Sequence, residues 1–192
     1  MQWFNEPQQW EADARSLSMF VTPKTDYWRI THYGFTVDDG PFYYTTQGGE
    51  FEVKVKLTGG YKSRFDQMGL MLRISEKHWI KAGIEYAEGT FNVSTVVTRK
   101  KSDWSVMPLE AAPPSIWIKA VRQSDAVTVS YSLDGGCYAM VRMAYFPDKK
   151  PIMVGMTAAS PDGEGFAACF EEFQIKHLPD AHRLQWLEKN KP

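Results

Sequence analysis

Apolar and polar residues alternate with a period of two along most of residues 26–175, which is the spacing of strands rather than helices. The segments "FEVKVKLTG", "GLMLRIS", "WIKAGIEYA", "FNVSTVVTR", "IWIKAVRQ", "AVTVSYSLDGG" and "YAMVRMAYF" each read as a strand. Turn-forming groups separate them: Asp39-Gly40-Pro41, Gly48-Gly49, Gly59-Gly60, Glu88-Gly89, Pro113-Pro114, Asp134-Gly135-Gly136 and Asp162-Gly163. Strands at this spacing, with no helical pattern between them, predict an all-β, antiparallel two-sheet sandwich. The exception is the tail "PDAHRLQWLEKN". There Asp180 is placed as an N-cap and Leu184 and Leu187 make a short apolar stripe, predicting a helix over 180–190. No repeat, low-complexity run or linker divides the 192 residues, so one domain over 1–192 is expected.

The stretch "DQMGLMLRISEKHWIKAGIEY" fixes a register. With Glu76-Lys77-His78 as a three-residue hairpin loop, Ile74 opposes Ile80, Leu72 opposes Ala82 and Leu70 opposes Ile84, keeping every aliphatic on one face. A two-residue loop would set Arg73 against Ile80 and mix the faces. The next turn, at Glu88-Gly89, pairs Tyr86 with Phe91, Ile84 with Val93 and Ile80 with Val97. Leu70, Leu72, Ile74, Ile80, Ala82, Ile84, Val93 and Val97 are therefore expected to be buried together. The other face carries Met71, Arg73, Ser75, Trp79, Lys81, Glu85, Asn92, Ser94, Val96 and Thr98, a polar platform with one aromatic ring.

That platform is electrostatically odd. In this register Arg73 stands opposite Lys81, and like charges across a strand pair repel. Glu85 lies four residues from Lys81, about 13 Å along the strand, too far to neutralise it there. Either Asp66 or Asp103 supplies the missing charge, or the pair awaits an anionic ligand group such as a uronate. Long Lys and Arg stems covering a solvated sheet would be unremarkable on their own. A Trp among them is costly unless it is covered or used.

Composition narrows the function classes. Lys and Arg total 22 against 23 for Asp and Glu, so a net charge of -1 provides no bulk attraction to nucleic acid or anionic lipid. The N-terminus lacks a basic and apolar leader pattern, and no window approaches the roughly 18 apolar residues of a membrane span. A soluble, cytoplasmic protein is expected, with no nucleic-acid or membrane partner; a homodimer is compatible with the sequence. Cys137 and Cys169 lie in strand-like runs without CxxC spacing and are expected to be free, buried thiols. Aromatic residues make up 14% of the chain, seven of them Trp, enough both to fill a core and to stack on sugars.

Recognised catalytic signatures are absent. The four histidines (His32, His78, His177 and His182) show no ligand spacing, and there is no P-loop, G-x-S-x-G or G-x-G-x-x-G, so no metal or cofactor is expected. Glu50 and Glu52 share one strand face about 6.6 Å apart, a separation a glycosidase could use. Lys54 and Lys56 continue that face, so it reads as a charge-balanced exposed strand. The alternation loses its phase at Glu171-Glu172, predicting a bulge.

Taken together, "DYWRITHYGF", "FDQMGLMLR", "WIKAGIEY", "VVT", "SDWS", "YSLDGG" and "VGMTAASPDGEGF" resemble a bacterial and fungal domain-of-unknown-function family often labelled regulation of enolase protein 1. The resemblance spans about residues 3–176. It implies the concanavalin A-like lectin/glucanase fold, a jelly roll whose concave face binds sugars in better-known relatives. Carried over by motif, Asp66, Gln67, Trp79, Lys81, Glu85, Thr98, Ser102, Asp103 and Trp104 would sit at or around that concave site. The E-x-D-x-E strand of glucanases with this fold has no counterpart here. Three functions follow. The first is recognition of a small saccharide or uronate, with Trp79 or Trp104 stacking on the ring, Arg73 and Lys81 meeting an acidic or hydroxyl group, and Asp66, Gln67 and Glu85 accepting hydrogen bonds. The second is a glycosidase, lyase or epimerase using Lys81 as base or charge neutraliser and Glu85 as acid or base. The third is a regulatory module that binds another protein.

Overall fold

The computed structural model describes residues 1–146, 150–180, 184–185 and 188–190. In chain order the strands are β1 (Gln2–Phe4), β2 (Trp10–Ala12), β3 (Ser16–Phe20), β4 (Tyr27–Arg29), β5 (Thr36–Asp38), β6 (Phe42–Gln47), β7 (Phe51–Gly59) and β8 (Gln67–Ser75). They continue with β9 (His78–Ala87), β10 (Thr90–Arg99), β11 (Lys101–Pro108), β12 (Ile116–Gln123), β13 (Ala126–Ser132), β14 (Ala139–Tyr145), β15 (Ile152–Ala159) and β16 (Ala167–His177). Two seven-stranded antiparallel sheets form. The first runs β1-β6-β15-β8-β9-β10-β11, the second β14-β13-β12-β7-β16-β3-β2, and β4 pairs only with β5 in a separate ribbon. This is the two-sheet jelly roll that the alternation and the resemblance imply.

Alternation decides which side chains enter the sandwich. On β7, Phe51, Val53, Val55 and Leu57 are buried, while Glu52, Lys54 and Lys56 stay half-buried on the other face. Lys119 and Glu171 supply counter-charges to Glu52 and Lys56. Between the sheets, one cluster gathers Leu70, Leu72, Ile80, Ala82, Ile84, Val93 and Val97 with Val53, Ile118, Phe166 and Phe170. Ile74 packs against its edge, half-buried. Burying a side chain of this size is worth about 1.5–3 kcal/mol, which sets the sheet faces.

The β9–β10 hairpin pairs Tyr86 with Phe91, Ile84 with Val93 and Ile80 with Val97, as the alternation requires. The β8–β9 hairpin corrects the expected register. Leu72 faces Ile80, Leu70 faces Ala82, Met68 faces Ile84 and Arg73 faces Trp79. Its loop is the two-residue Glu76-Lys77, and an extra residue between Arg73 and Ser75 restores the phase. A bulge thus lets the shorter loop keep all the aliphatics on one face.

Strands before residue 26, the three-residue β5, and β6 give little alternation and are not legible in the sequence; β15 is nearly continuous in burial because it lies inside the first sheet. The register shift between Glu171 and Gln174, with Glu172 at φ 54°, is the bulge expected in β16. Both cysteines are free, but Cys137 is exposed beside the Gly135-Gly136 turn rather than buried in a strand. In the tail, Leu184–Gln185 and Glu188–Lys189 are helical, and the Leu184 amide donates to the Asp180 carbonyl at 3.0 Å. Positions 181–183 and 186–187 of the expected 180–190 helix, Leu187 among them, lie outside the described residues.

Candidate functional site

The outer face of the first sheet, turned away from the inter-sheet core, is divided in two. Over one half lies the β4–β5 ribbon. Tyr27 and Trp28 from the ribbon, Phe42, and Met71, Trp79 and Val96 from the sheet make a second apolar cluster. Trp79 is 1% exposed, meets Tyr27 edge-on at 6.1 Å between centroids, and donates its indole N–H to the Glu76 carbonyl at 3.2 Å. The ring on the charged face is therefore covered by the ribbon, which corrects its placement as an outward platform residue.

The charges are compensated differently from the sequence expectation. Arg73 faces Trp79 and Lys81 faces Met71, so the two cations are not opposite each other. Arg73, 3% exposed, makes two 2.6 Å hydrogen bonds to the two carboxylate oxygens of Asp38 at the end of the ribbon. Lys81 donates to the Tyr27 carbonyl at 3.2 Å and lies 3.6 Å from Asp26. The partners are thus Asp38 and Asp26, not Asp66 or Asp103. Both were invisible to strand pairing because they sit side by side at the open end of a ribbon that belongs to neither large sheet.

The other half of the face opens into a cavity of about 250 Å³. Its polar wall includes Asp26, Gln67, Lys81 and Glu85; its apolar wall includes Trp28, Tyr33, Phe35, Phe65, Val96 and Trp104. Gln67 and Glu85 form one rung of the β8–β9 ladder, Met71 and Lys81 another, and the rung between them is Gly69 with Gly83. A Cβ on Gly69 would overlap the Ala82 carbonyl, and one on Gly83 the Met68 carbonyl. Beside this rung lies a recess of about 10 Å³, lined in part by Gln67, Lys81, Gly83 and Ser94, the first two of which also line the cavity. That is about the volume one water needs.

Glu85 is the most perturbed acid of the site. It is 5% exposed, and Oε2 accepts the Trp104 indole N–H at 3.0 Å; the same N–H lies 3.1 Å from Ser94 Oγ. Burial holds its carboxyl above the usual range. Lys81 and the hydrogen bonds from Ser94 and Trp104 oppose that shift, and Asp26 adds to it. Gln67 donates to the Phe65 carbonyl at 3.1 Å and reaches Asp26 at 3.5 Å, orienting its amide along the same wall.

Of the residues chosen from sequence, Gln67, Lys81, Glu85 and Trp104 meet at the cavity. Arg73 and Trp79 lie beneath the ribbon. The remaining four are braces. Asp66 is fully buried and accepts the backbone N–H groups of Lys62 and Ser63 and the hydroxyl of Ser160, tying a loop. The Thr98 and Ser102 hydroxyls are 2.8 Å apart, and Ser102 accepts the Arg29 amide, fastening the ribbon to β10 and β11. Asp103 bonds Arg142 of β14 at 3.2 Å. Sequence reasoning missed Asp26, Trp28, Tyr33, Phe35 and Phe65. The signal available was "DYWRITHYGF", where Tyr27, Trp28, Tyr33 and Phe35 crowd a stretch with no clean alternation.

Among the described residues, no group of three or more His, Cys, Asp or Glu is placed to hold a metal ion, and no helix is long and apolar enough to cross a membrane. A family model described as "Protein of unknown function (DUF1349)" matches residues 3–178. The chain is 35% identical over 173 residues to "Regulation of enolase protein 1" of Saccharomyces cerevisiae, covering 90% of this chain and 87% of that protein. Among solved structures, a functionally unknown Saccharomyces cerevisiae protein superposes with a TM-score of 0.89 at 34% identity, covering 92% of this chain and 96% of that one. A GH43 protein from Bacillus licheniformis gives 0.71 at 18% identity, over 90% of this chain but 36% of the other. A legume lectin-like domain from Entamoeba histolytica gives 0.61 at 10% identity, over 92% and 90%. The last two share the fold.

Proposed function

From the premise that this chain belongs to the DUF1349 family, whose function is unknown, we propose that it recognises a neutral carbohydrate in the cavity on the outer face of its first sheet. One observation carries the reading: at a single cavity of about 250 Å³, an exposed Trp104 edge and other rings meet a convergent set of donors and acceptors from Asp26, Gln67, Lys81 and Glu85. Aromatic walls with a few fixed polar groups are the general design of small-ligand sites. The volume lies just below the roughly 300–1,000 Å³ of sites for drug-sized ligands, which suits a single sugar ring. The lectin-like and GH43 names of the fold relatives support the same ligand class.

The charge balance favours a neutral ring over a uronate. Arg73 is engaged by Asp38 and Lys81 lies beside Asp26, so neither cation needs an anionic ligand. Three carboxylates (Asp26, Glu85 and Asp162) line the cavity against two cations, Arg64 and Lys81. Isothermal titration against neutral and uronic sugars tests this: a neutral sugar binds, and Glu85→Ala weakens it about tenfold or more while the fold persists. A uronate binding best would reverse the assignment.

A catalytic reading rests on Glu85. A carboxyl held neutral toward higher pH by burial is the form a general acid needs, and Lys81 and Asp26 stand on the same wall. Release of phenol from aryl glycosides, lost in Glu85→Gln, would establish it; binding without turnover favours recognition alone. Silence across the whole panel would favour a protein-binding regulator, the role the name of the yeast relative suggests for that protein.

A further inference from the structure

We propose that the loop joining β4 to β5 forms a second subsite, so that the ligand is a saccharide chain of two or more rings with its terminal ring in the polar end of the cavity. This rests on the carbohydrate reading above and names the length of ligand it implies. Tyr33 and Phe35 both line the cavity, and their rings stack with centroids 5.6 Å apart and planes 21° from parallel. They remain 44% and 46% exposed, and Ile30 beside them 39%. Their burial therefore does not account for their presence. A stacked pair of rings that keeps nearly half its surface in water beside the cavity offers exposed aromatic surface of the kind that packs on the C–H face of a sugar ring.

The backbone of this loop is held in a costly conformation. Ile30 has φ 66° and His32 φ 64°, the left-handed region that a β-branched residue rarely enters, with Gly34 at φ 77° completing the turn. Such residues persist only where surrounding bonds over-determine them. Those bonds are present. The Ile30 amide donates to the Phe35 carbonyl at 2.6 Å, and the Gly34 amide to the Ile30 carbonyl at 2.7 Å. The indole of Trp28 donates to the Thr31 carbonyl at 2.9 Å, and its ring meets Tyr33 edge-on at 5.6 Å. A strained, cross-bonded loop that keeps two rings in water is organised for a ligand that arrives from outside.

The cavity of about 250 Å³ suits one ring, so a second would lie at its edge, against the exposed surface of Tyr33 and Phe35. Titrating the protein with methyl β-xyloside, xylobiose, methyl β-glucoside, cellobiose, methyl α-mannoside and α-mannobiose reads the subsite directly. A disaccharide is expected to bind about tenfold tighter than its methyl glycoside, equivalent to roughly 1.4 kcal/mol. The double variant Tyr33→Ala/Phe35→Ala removes that gain, bringing disaccharide and methyl glycoside to within about twofold of each other, while the far-UV circular dichroism of the sandwich is unchanged. Tyr33→Leu/Phe35→Leu keeps apolar bulk without flat rings and gives the same loss, which excludes a folding artefact. A methyl glycoside that binds as tightly as its disaccharide, or a variant that weakens both equally, overturns the subsite and leaves the carbohydrate reading standing. If none of the six sugars binds, both fall together.

Discussion

Replacing Arg73 by Met tests whether the ribbon is fastened to the sheet by a buried ion pair. Met keeps much of the stem that lies by Phe4 and Tyr27, whose rings are 4.8 and 5.9 Å from the guanidinium, and removes only the charged fork. Asp38 is then left without the two 2.6 Å bonds it accepts. Breaking a fully buried pair costs about 3–5 kcal/mol. Here the Arg73 side chain is 4% exposed and that of Asp38 27%, so the orphaned carboxylate recovers part of its hydration. A loss of about 2–3 kcal/mol is expected. For a chain of this size that is a fall in melting temperature of about 4–12 °C. Urea unfolding followed by tryptophan fluorescence measures it, and the cycle with Asp38→Asn should give a coupling of about 1–2 kcal/mol. A loss under about 0.5 kcal/mol, or a coupling near zero, would refute the view that this pair holds the ribbon.

Gly83→Ala should be among the most damaging small substitutions, about 3 kcal/mol or more, because its Cβ would sit 2.7 Å from Gly69 Cα and against the Met68 carbonyl, and backbone cannot move aside; normal urea stability would show that the strands are free to separate. The carboxyl of Glu85 is shifted up in the folded chain, so the native state binds its proton more tightly than the unfolded state does. Its ionisation therefore lowers stability as pH rises from about 4.3 through the folded value. The stability of Glu85→Gln relative to the parent should climb across that range, and a flat or falling difference between pH 4 and 8 would mean that Lys81 and Trp104 outweigh burial. Trp104→Phe keeps a ring in the cavity but removes the N–H donated to Glu85, so the Glu85 carboxyl should titrate at still higher pH by carbon-13 NMR.

How far these features could be read from sequence depends on which interactions are local. Period-two alternation placed Leu70, Leu72, Ile80, Ile84 and Val93 in the inter-sheet core because side-chain direction in a strand is set by position alone. The same alternation put Lys81 and Glu85 on the opposite face, where the cavity forms, while Gln67 entered only through the family resemblance. It failed by one rung at Arg73, since a bulge leaves no mark in the hydrophobic pattern when it sits at a loop end. It could not find Asp26 and Asp38, whose partners are 55 and 35 residues away in sequence. Asp66, Thr98, Ser102 and Asp103 had the right chemistry for a site, yet their bonds go to loops and neighbouring strands. The Gly69–Gly83 rung was the overlooked clue, because glycine inside a strand often marks close backbone approach.

The ribbon has three rungs, Tyr27 with Asp38, Trp28 with Val37 and Arg29 with Thr36, and neither strand extends into either large sheet. A two-stranded hairpin of that length is marginal in water, so its order is borrowed from the surface beneath it. It is therefore a unit that can open while the sandwich stays folded, and its amides should exchange hydrogen well before those of β8 and β9. Each such opening dismantles one wall of the cavity. For the ligand proposed above, folded and binding-competent molecules would then be two different populations, and the measured affinity would be the intrinsic one scaled by the fraction of time the ribbon is down.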